Sequence, residues 1–476
     1  MFSNLMKVII FVTLYTSVTF SSEKKYYELD GRLFDFHNRT NGPKAIVSVQ
    51  TNRHDSMNQN SLAVYASTEV EIISNKNIQW IELEKNKTYS ICTDTLPSEG
   101  QWKVKNISYE KKGNCIFLHS GSYVKSAYVR YESNSEIFID INILVGMNYV
   151  DLSQKKHLLG YMGPEKRKSP KDTSSHFLSF NFTESDYPDP LRHEKIEVTL
   201  AVDRFKVTEC EFINVLWDSI PNQHLPKKFE LQNYWISKKK RMKRGVCDTH
   251  DSAAIQISPY YALIYANERS LQDGLDPVYD FEFTKDWQAF KLFSDGRFGI
   301  KRNVFSLTNR DFPEYVIVKV KPNSTGYRLP YYDEWMALAR GGHANIKYIW
   351  ERQSNDSLAS EYAWFGVQDP EEPLKKLDLK KPYARNWLKH SCGRWRQNSR
   401  PVGMLKPNSY GLYDISGLVC ESVMLPGKSI FDNEILTCKG GFLPDSLEAL
   451  NLGAHCDYKT SNDFIFRGLR LVRKIN

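Results

Sequence analysis

Cysteine is the residue type that offers this chain the most chemistry. The sequence contains eight cysteines: Cys92, Cys115, Cys210, Cys247, Cys392, Cys420, Cys438 and Cys456. An even number of cysteines in an exported chain favours structural disulfides, and we expect Cys92 and Cys115 to close a loop in one N-terminal domain. A metal site needs closely spaced ligands in two pairs, and Cys247-x-x-His250 and His390-x-Cys392 each lack a second pair. The cysteines therefore predict disulfides rather than a zinc centre.

Other catalytic arrangements are not present in the sequence. The eleven histidines form no His-x-x-x-His pair, no serine lies in a Gly-x-Ser-x-Gly turn, and no phosphate-binding loop occurs. The formal net charge of +8 is small for 476 residues, so it does not predict a nucleic-acid partner. The sequence thus gives no support to a hydrolase, a nucleotide enzyme or a nucleic-acid-binding protein.

Four segments in a fixed order carry the clearest functional signal. They are YRLPYYDEWMALARGG (Tyr327–Gly342), RPVGMLKPNSYGLYDISG (Arg400–Gly417), CKGGF (Cys438–Phe442) and FRGLRLVRK (Phe466–Lys474). This series resembles the formylglycine-generating enzyme family, the sulfatase-modifying factors. The resemblance implies an α+β fold like that of C-type lectins, with few helices and much irregular chain. Arg340, Arg400 and Arg467 belong to these segments, and we expect them to hold loops through buried ion pairs.

The copper-binding cysteines of that family are missing here. In the family, two cysteines follow the Gly-Gly step and bind copper, since soft thiolates select Cu(I). Aligning Gly440-Gly441 with that step puts Asp445 (or Pro444) at the first cysteine and Leu450 at or near the second. Phe442 replaces a small polar residue, and a one-residue slip suggested by Cys456 restores neither ligand. The degenerate former site is therefore marked by Phe442, Asp445, Leu450, Cys456 and Glu421, to which we assign no catalysis.

Calcium is the second ion that the resemblance implies. The family turn Gly-Asn-Val-Trp-Glu-Trp corresponds here to Gly417–Ser422, GLVCES, in which the calcium-binding Asn is Leu418. The family's other Asn corresponds to Trp364, so the calcium ligands look lost. The carboxylates nearby, Asp369, Glu371 and Glu372, are candidate cation ligands or a solvated acidic loop. We expect no cofactor, and copper only if an oxidase activity survives.

The pairing of the cysteines near the former site remains open. Cys438 and Cys456 flank its strand, and they could pair with each other or with Cys420. If they are reduced, an unusual metal site would be an alternative use of the same residues.

The N-terminus predicts export. Lys7 precedes the apolar run Val8–Phe20, and the small residues Thr19 and Ser21 suit cleavage near Ser21 or Ser22. A single anchoring helix is the alternative, but the run is shorter than the roughly 20 apolar residues that span a bilayer. We therefore predict a signal peptide at 1–22 and a mature chain without a spanning segment, located in the periplasm, in the cell envelope or outside the cell.

The mature chain is too long for one ordinary core, so we predict two domains. Short β-branched runs separated by turn residues predict an all-β, sandwich-like domain over 23–147. The family-like domain follows at 148–476, with insertions at 225–244, 280–315 and 367–399. Three features of this domain predict helix ends. A capping box at Thr208 and Glu211 and a cap at Ser258-Pro259 each predict a helix N-terminus, and Gly341-Gly342 predicts a helix C-terminus.

These features together predict an exported member of the family that lacks the copper cysteines and binds a peptide, a protein or a glycan without catalysis. The first alternative is a copper-dependent oxidase that converts a peptidyl cysteine to formylglycine. The second is a structural subunit of an envelope assembly.

Overall fold

The computed structural model of the chain describes residues 8–9, 11–12, 26–29, 32–35, 48–49, 68–69, 72–75, 78–92, 99–113, 115–121, 125–160, 191–224, 230–245, 247, 252–283, 316–343, 346–350, 358–365, 400–424, 436–441, 450–453, 455–456 and 467–475. The chain divides into two compact units, Met1–Tyr149 and Val150–Asn476.

The first unit is built from strands. In chain order they are β1 (Val8–Ile9), β2 (Phe11–Val12), β3 (Tyr26–Leu29), β4 (Arg32–Asp35), β5 (Ser48–Val49), β6 (Thr68–Glu69), β7 (Ile72–Asn75), β8 (Ile78–Leu83), β9 (Thr88–Cys92), β10 (Gln101–Lys105), β11 (Ser108–Lys112), β12 (Cys115–His119), β13 (Ser126–Ser133) and β14 (Glu136–Val145). The larger sheets have the orders β10-β13-β14-β8-β7 and β11-β12-β9. The prediction of a β-rich N-terminal region is confirmed.

The core of the first unit lies between these two sheets. Side chains alternate between buried and partly exposed along β13, as the two-residue period of a half-buried strand requires. Val129 and Ile141 of the five-stranded sheet join Ile91 and Ile116 of the three-stranded sheet in one apolar cluster. One pairing departs from a simple meander, because β14 runs parallel to β8.

The ladder of β9 and β12 brings two cysteines opposite each other. Cys115 is disulfide-bonded, and the residue directly across the ladder from it is Cys92. The side chain of Cys92 lies outside the described residues.

The second unit mixes strands and helices. Its strands are β15 (Met147–Asp151, which begins in the first unit), β16 (Lys156–Leu159), β17 (Arg192–Lys195), β18 (Thr199–Asp203), β19 (Tyr279–Phe283), β20 (Val316–Val320), β21 (Tyr327–Arg328), β22 (Cys420–Met424), β23 (Leu436–Lys439), β24 (His455–Cys456), β25 (Arg467–Gly468) and β26 (Val472–Ile475). Its helices are α1 (Glu209–Val215), α2 (Glu230–Lys239), α3 (Pro259–Gln272), α4 (Tyr332–Ala339) and α5 (Ala359–Tyr362). This mixture confirms the predicted α+β class.

The helices begin and end where local chemistry dictates. The Thr208 hydroxyl accepts from Glu211 N at 3.2 Å, and the Glu211 carboxylate accepts from Thr208 N at 3.1 Å, which is the predicted capping box of α1. Ser258 caps α3, with proline at its first position. Helix α4 ends before Gly341 and Gly342, whose φ values of 59° and 77° lie in the left-handed region.

Two four-stranded sheets position the residues discussed below. Strand β26 lies between β18 and β21 in the order β15-β18-β26-β21, and the second sheet has the order β24-β23-β22-β25. Trp335 and Met336 of α4 are fully buried in a cluster with Val202 of β18, Val423 of β22 and Val472 of β26. Helix α4 is thus the common core element of both sheets.

The predicted insertions are only partly described. Helix α2 lies in the first (225–244), β19 begins the second (280–315), and the third (367–399) lies outside the described residues. Within the described part of the chain, no helix combines the length and apolar character needed to cross a membrane.

Candidate functional site

The sheet β24-β23-β22-β25 contains the strand that precedes the former copper site. Antiparallel pairing places Glu421 opposite Lys439 and Ser422 opposite Cys438, and β24 adds Cys456 opposite Cys438. Directly opposite residues of a ladder point to the same face of a sheet. Glu421 and Lys439 therefore share one face, and Ser422 and Cys438 share the other.

A disulfide joins Cys420 to Cys438, with their Cα atoms 5.6 Å apart. This is one of the two partners that the sequence left open for Cys438, and it excludes a bond between Cys438 and Cys456. The antiparallel register decides the pairing, since β22 and β23 are hydrogen-bonded neighbours. Both sulfurs are used, so neither is a thiolate available to a metal. The side chain of Cys456 lies outside the described residues.

Leu450, which the sequence comparison with the family motif puts at or near the second copper cysteine, is part of an apolar cluster. It is fully buried against Tyr348, Trp350, Ala359 and Ala363. The rings of Tyr348 and Trp350 stack with centroids 4.8 Å apart. This position presents hydrocarbon and aromatic surface and no sulfur ligand. The other residues of the predicted degenerate site, Phe442 and Asp445, lie outside the described residues.

Glu421 is the centre of a fully buried ionic network. Lys206 Nζ lies 2.8 Å from Glu421 Oε1, and Arg470 donates to both carboxylate oxygens at 2.8–3.1 Å. Trp335 Nε1 donates to Oε2 at 2.8 Å. Burial alone would raise the pKa of Glu421, but the Arg470 guanidinium and the Lys206 ammonium outweigh it and lower the pKa to about 2. Glu421 is therefore an ionised structural anchor and not a proton donor near neutral pH.

Arg470 extends this network to the backbone. Its guanidinium donates to the carbonyl oxygens of Asp203 at 2.7 Å and Tyr413 at 2.6 Å. The Asp203 carboxylate in turn accepts from Leu471 N at 3.0 Å. The cluster ties β18, β22 and the segment before β26 together, which is a role in stability and not in chemistry on a substrate.

Lys439, on the same face as Glu421, was not found from the sequence. Its side chain is fully buried, and its ammonium lies 4.5 Å from the ring centroid of Tyr332 and 5.3 Å from that of Trp335. Cation–π contact with aromatic rings is favourable when the cation is desolvated. The only sequence signal for it was its position directly before Gly440-Gly441.

The turn Gly417–Ser422 does not fit a calcium ion. Leu418 is fully buried with φ of 64°, and its N–H donates to the Trp364 carbonyl at 3.0 Å. The Val419 carbonyl accepts from Lys206 Nζ at 2.7 Å. Calcium takes six to eight oxygen ligands, whereas this turn offers an apolar side chain and oxygens that cations of the protein already contact. The other candidates, Asp369, Glu371 and Glu372, lie outside the described residues.

The motif arginines are buried or partly buried, and the described contacts of Arg340 are to backbone oxygens. Arg340 donates to the carbonyl oxygens of Leu158 at 2.6 Å and Gly160 at 2.9 Å. Arg400 lies over the ring of Trp364 at 5.3 Å. Arg340 thus holds a loop, as predicted, through backbone acceptors.

A cleft of about 260 Å³ opens elsewhere in the second unit. Its lining combines apolar, cationic and anionic side chains: Glu197, Val198, Val278, Val320, Lys321, Pro322, Ser324, Gly326, Arg328, Tyr331, Glu334 and Lys474. Arg328 and Glu334 form a two-point ion pair in it, with N–O distances of 2.6 and 2.7 Å. The other cations of the lining are Lys474 and Lys321, and the Lys321 ammonium lies 3.0 Å from Asp276 Oδ1.

The mixed fold, the four ordered segments and the β22–β23 site define the class of protein, an α+β domain like that of the formylglycine-generating enzymes. The family profile described as "Sulfatase-modifying factor enzyme 1-like domain" matches residues 177–475, which is more than half of the chain. The chain therefore belongs to the sulfatase-modifying factor family, and the resemblance seen in the sequence is confirmed.

Individual relatives are distant. The chain is 26% identical over 168 residues to "Chaperone protein LppX" of Paenibacillus barcinonensis; the match covers 35% of this chain and 49% of that protein. The chain thus spans about half the length of the curated relative it matches.

Among solved structures, Treponema denticola variable protein 1 has a TM-score of 0.41 at 16% identity, covering 73% of this chain and 98% of that one. CarF has a TM-score of 0.36 at 19% identity, with coverages of 69% and 98%. PvdO from Pseudomonas aeruginosa has a TM-score of 0.36 at 12% identity, with coverages of 70% and 93%.

Proposed function

We propose that this chain is an exported, non-enzymatic member of its family that binds a peptide, a protein or a glycan. The observation that carries the proposal is the environment of Leu450. A fully buried leucine among Tyr348, Trp350 and two alanines stands where the alignment puts the second copper cysteine. A hydrocarbon side chain cannot ligate copper, and a thiolate pair is what selects Cu(I) in a protein.

The disulfide between Cys420 and Cys438 supports the same proposal. Oxidation of a substrate cysteine to an aldehyde removes electrons that oxygen must accept at the metal, and a disulfide sulfur does not replace a thiolate ligand there. Both cysteines flank the former site and both are bonded. No observation on the described residues favours the oxidase alternative.

Two surface features support a binding role. The first is the basic end of α2, where Lys240, Arg241 and Lys243 are exposed in the 225–244 insertion. Surface insertions on a rigid scaffold are a usual location of binding specificity. The second is the cleft whose lining includes Lys321 and Lys474. The name of the LppX relative, a chaperone protein, favours a protein or peptide partner over a free metabolite.

The basic end of α2 is held rigidly on both sides. Lys239 is buried and donates to the carbonyl oxygens of Trp217 and Ile220, both at 2.6 Å. On the other side, Cys247 is bonded to Cys210 of α1. Rigid presentation lowers the entropy that binding would otherwise cost.

Copper binding tests the non-enzymatic part of the proposal. Titration of the full mature chain with Cu(I) against a chromogenic chelator is expected to give no bound copper, and incubation with a cysteine peptide is expected to give no aldehyde. The double variant Asp445→Cys/Leu450→Cys is the matched control, since it returns a sulfur to each aligned position. One equivalent of Cu(I) bound by the wild-type chain would overturn this part.

Ligand-dependent thermal stability tests the binding part. Panels of peptides and oligosaccharides are expected to include one class that raises Tm saturably, because a ligand of the folded state stabilises it by mass action. A triple variant that neutralises the end of α2, Lys240→Gln/Arg241→Gln/Lys243→Gln, is expected to weaken that response.

The matched control neutralises three exposed lysines of the first unit, Lys103→Gln/Lys105→Gln/Lys111→Gln. Equal loss of response in both triple variants would mean that net charge alone matters. Stable co-purification with envelope proteins and no ligand response would favour the structural-subunit alternative.

A further inference from the structure

The ammonium of Lys206 lies at the turn Gly417–Ser422, where the family resemblance implies a calcium ion. Lys206 is fully buried, and its Nζ contacts the Val419 carbonyl at 2.7 Å and Glu421 Oε1 at 2.8 Å. Both oxygens belong to the turn Gly417–Ser422. A carbonyl and a carboxylate of one turn are the kinds of ligand that a hard cation takes, and here one side chain of the protein contacts both.

The charge of a second buried carboxylate, that of Asp414, acts on the same ammonium. Asp414 is 1% exposed, and its Oδ2 accepts from Gly403 N at 2.6 Å. Among the described residues, no group donates a hydrogen bond to the other oxygen, Oδ1. Burial raises the pKa of Asp414, and the Lys206 and Arg470 charges act against that rise. Asp414 is thus close enough to feel the Lys206 charge, and its unpartnered oxygen is buried.

The charges of this group suit a monovalent cation. The two carboxylates whose charges act on Lys206, Glu421 and Asp414, contribute two negative charges when ionised, and Arg470, bonded to Glu421, cancels one. One remaining negative charge matches a single ammonium, whereas a calcium ion would leave a buried excess of positive charge. Uncompensated buried charge costs several kcal/mol.

We propose that the Lys206 ammonium is a built-in replacement for a metal ion at this turn, and that its removal uncovers a buried site for a small alkylammonium ion. The domain is accordingly independent of calcium. The inference concerns the cation at the turn and does not depend on the proposed binding function.

The wild-type chain provides the first test. Its Tm, measured by circular dichroism of the full chain, is expected to be the same in EDTA and in calcium chloride, and elemental analysis is expected to find no calcium retained after desalting. A lower Tm in EDTA that calcium restores, or one retained calcium per chain, would overturn the proposal. Neither measurement requires a variant that folds.

Two substitutions provide the second test. Lys206→Met fills the space with an apolar side chain of similar length, and Lys206→Ala leaves a void lined by oxygens. Both are expected to lower Tm by about 10 °C, because each leaves the carboxylates without this partner. Ethylammonium at tens of millimolar is expected to raise the Tm of Lys206→Ala saturably and to leave that of Lys206→Met unchanged.

The pattern of rescue decides the outcome. Equal responses of the two variants to ethylammonium would show a nonspecific salt effect and would refute the proposal. A Tm of Lys206→Ala equal to that of the wild type would show that the ammonium is not needed, which would refute it as well. Rescue by calcium in place of ethylammonium would refute the charge argument. If neither variant folds, the wild-type calcium measurements decide alone.

Discussion

Replacing Glu421 by glutamine should test whether the ionic network anchors the second unit. The substitution keeps the shape of the side chain and removes its charge, so Lys206 and Arg470 lose their shared counter-charge. Breaking a buried ion pair by removing one partner costs about 3–5 kcal/mol. The pKa of Glu421, lowered from 4.5 to about 2 by Arg470 and Lys206 against the effect of burial, points to the same order of magnitude. At about 1.4 kcal/mol per pKa unit, that shift corresponds to roughly 3–4 kcal/mol.

A destabilisation of about 3–5 kcal/mol is large enough to measure as a shift in Tm. Calorimetric unfolding of the full Glu421→Gln chain at neutral pH should show the transition of the second unit lowered by on the order of 10 °C. The matched control is Asp218→Asn, which removes an exposed ion pair with Arg244 whose side chains are 61% and 60% exposed. Such surface pairs contribute at most about 1 kcal/mol. The Tm of the Asp218→Asn variant should therefore stay close to that of the wild type.

The pH dependence gives the sharper test. Because folding lowers the pKa of Glu421, its stabilisation is fully present above pH 4.5 and is lost as the pH falls toward about 2. The Tm difference between the wild type and Glu421→Gln should therefore shrink across that window. A variant within about 2 °C of the wild type at neutral pH, or a difference independent of pH, would refute the reasoning.

Two further predictions concern the same turn and strands. Gly417→Ala should destabilise the protein by several kcal/mol, because Gly417 has φ of 76° and a Cβ there would overlap the Trp364 backbone. Gly245→Ala is its control: φ there is 83°, but no atom of the described residues lies within 4 Å of an added Cβ, so equal urea midpoints for the two variants would contradict this explanation. Cys420→Ser should lower stability by about 3 kcal/mol, since the bond to Cys438 closes a segment with a sequence separation of 18. A reductant should lower the wild-type urea midpoint and leave that of a Cys420→Ser/Cys438→Ser variant unchanged if this is the bond that matters.

The sequence predicted the parts of the fold whose signals are local. The Thr208–Glu211 capping box, the Ser258 cap and the Gly341-Gly342 stop each depend on residues within a few positions of one another. Propensity and capping are properties of such short windows, so a single sequence contains them. The class of fold and the family followed from motif order and are confirmed.

The burial of lysines was not predictable in the same way. A lysine in the segment VDRFKVTE would be expected at the surface, since lysine is almost never fully buried without a partner. The partner of Lys206 is Glu421, 215 positions away, and only the tertiary fold brings them together. The choice of Cys420 as the partner of Cys438 likewise depends on strand register, which spacing along the chain does not fix.

The position of strand β26 has a consequence for how the protein is made. Val472–Ile475 forms the interior of a sheet, hydrogen-bonded on one side to Thr199–Asp203 and on the other to Tyr327–Arg328. Segments far apart in the sequence must therefore meet before the sheet is complete, and such distant pairings form slowly. Until Val472–Ile475 has been synthesised, the growing chain lacks an interior strand of this sheet. Strands β18 and β21 are made long before it, and their shared sheet cannot be completed until that segment emerges.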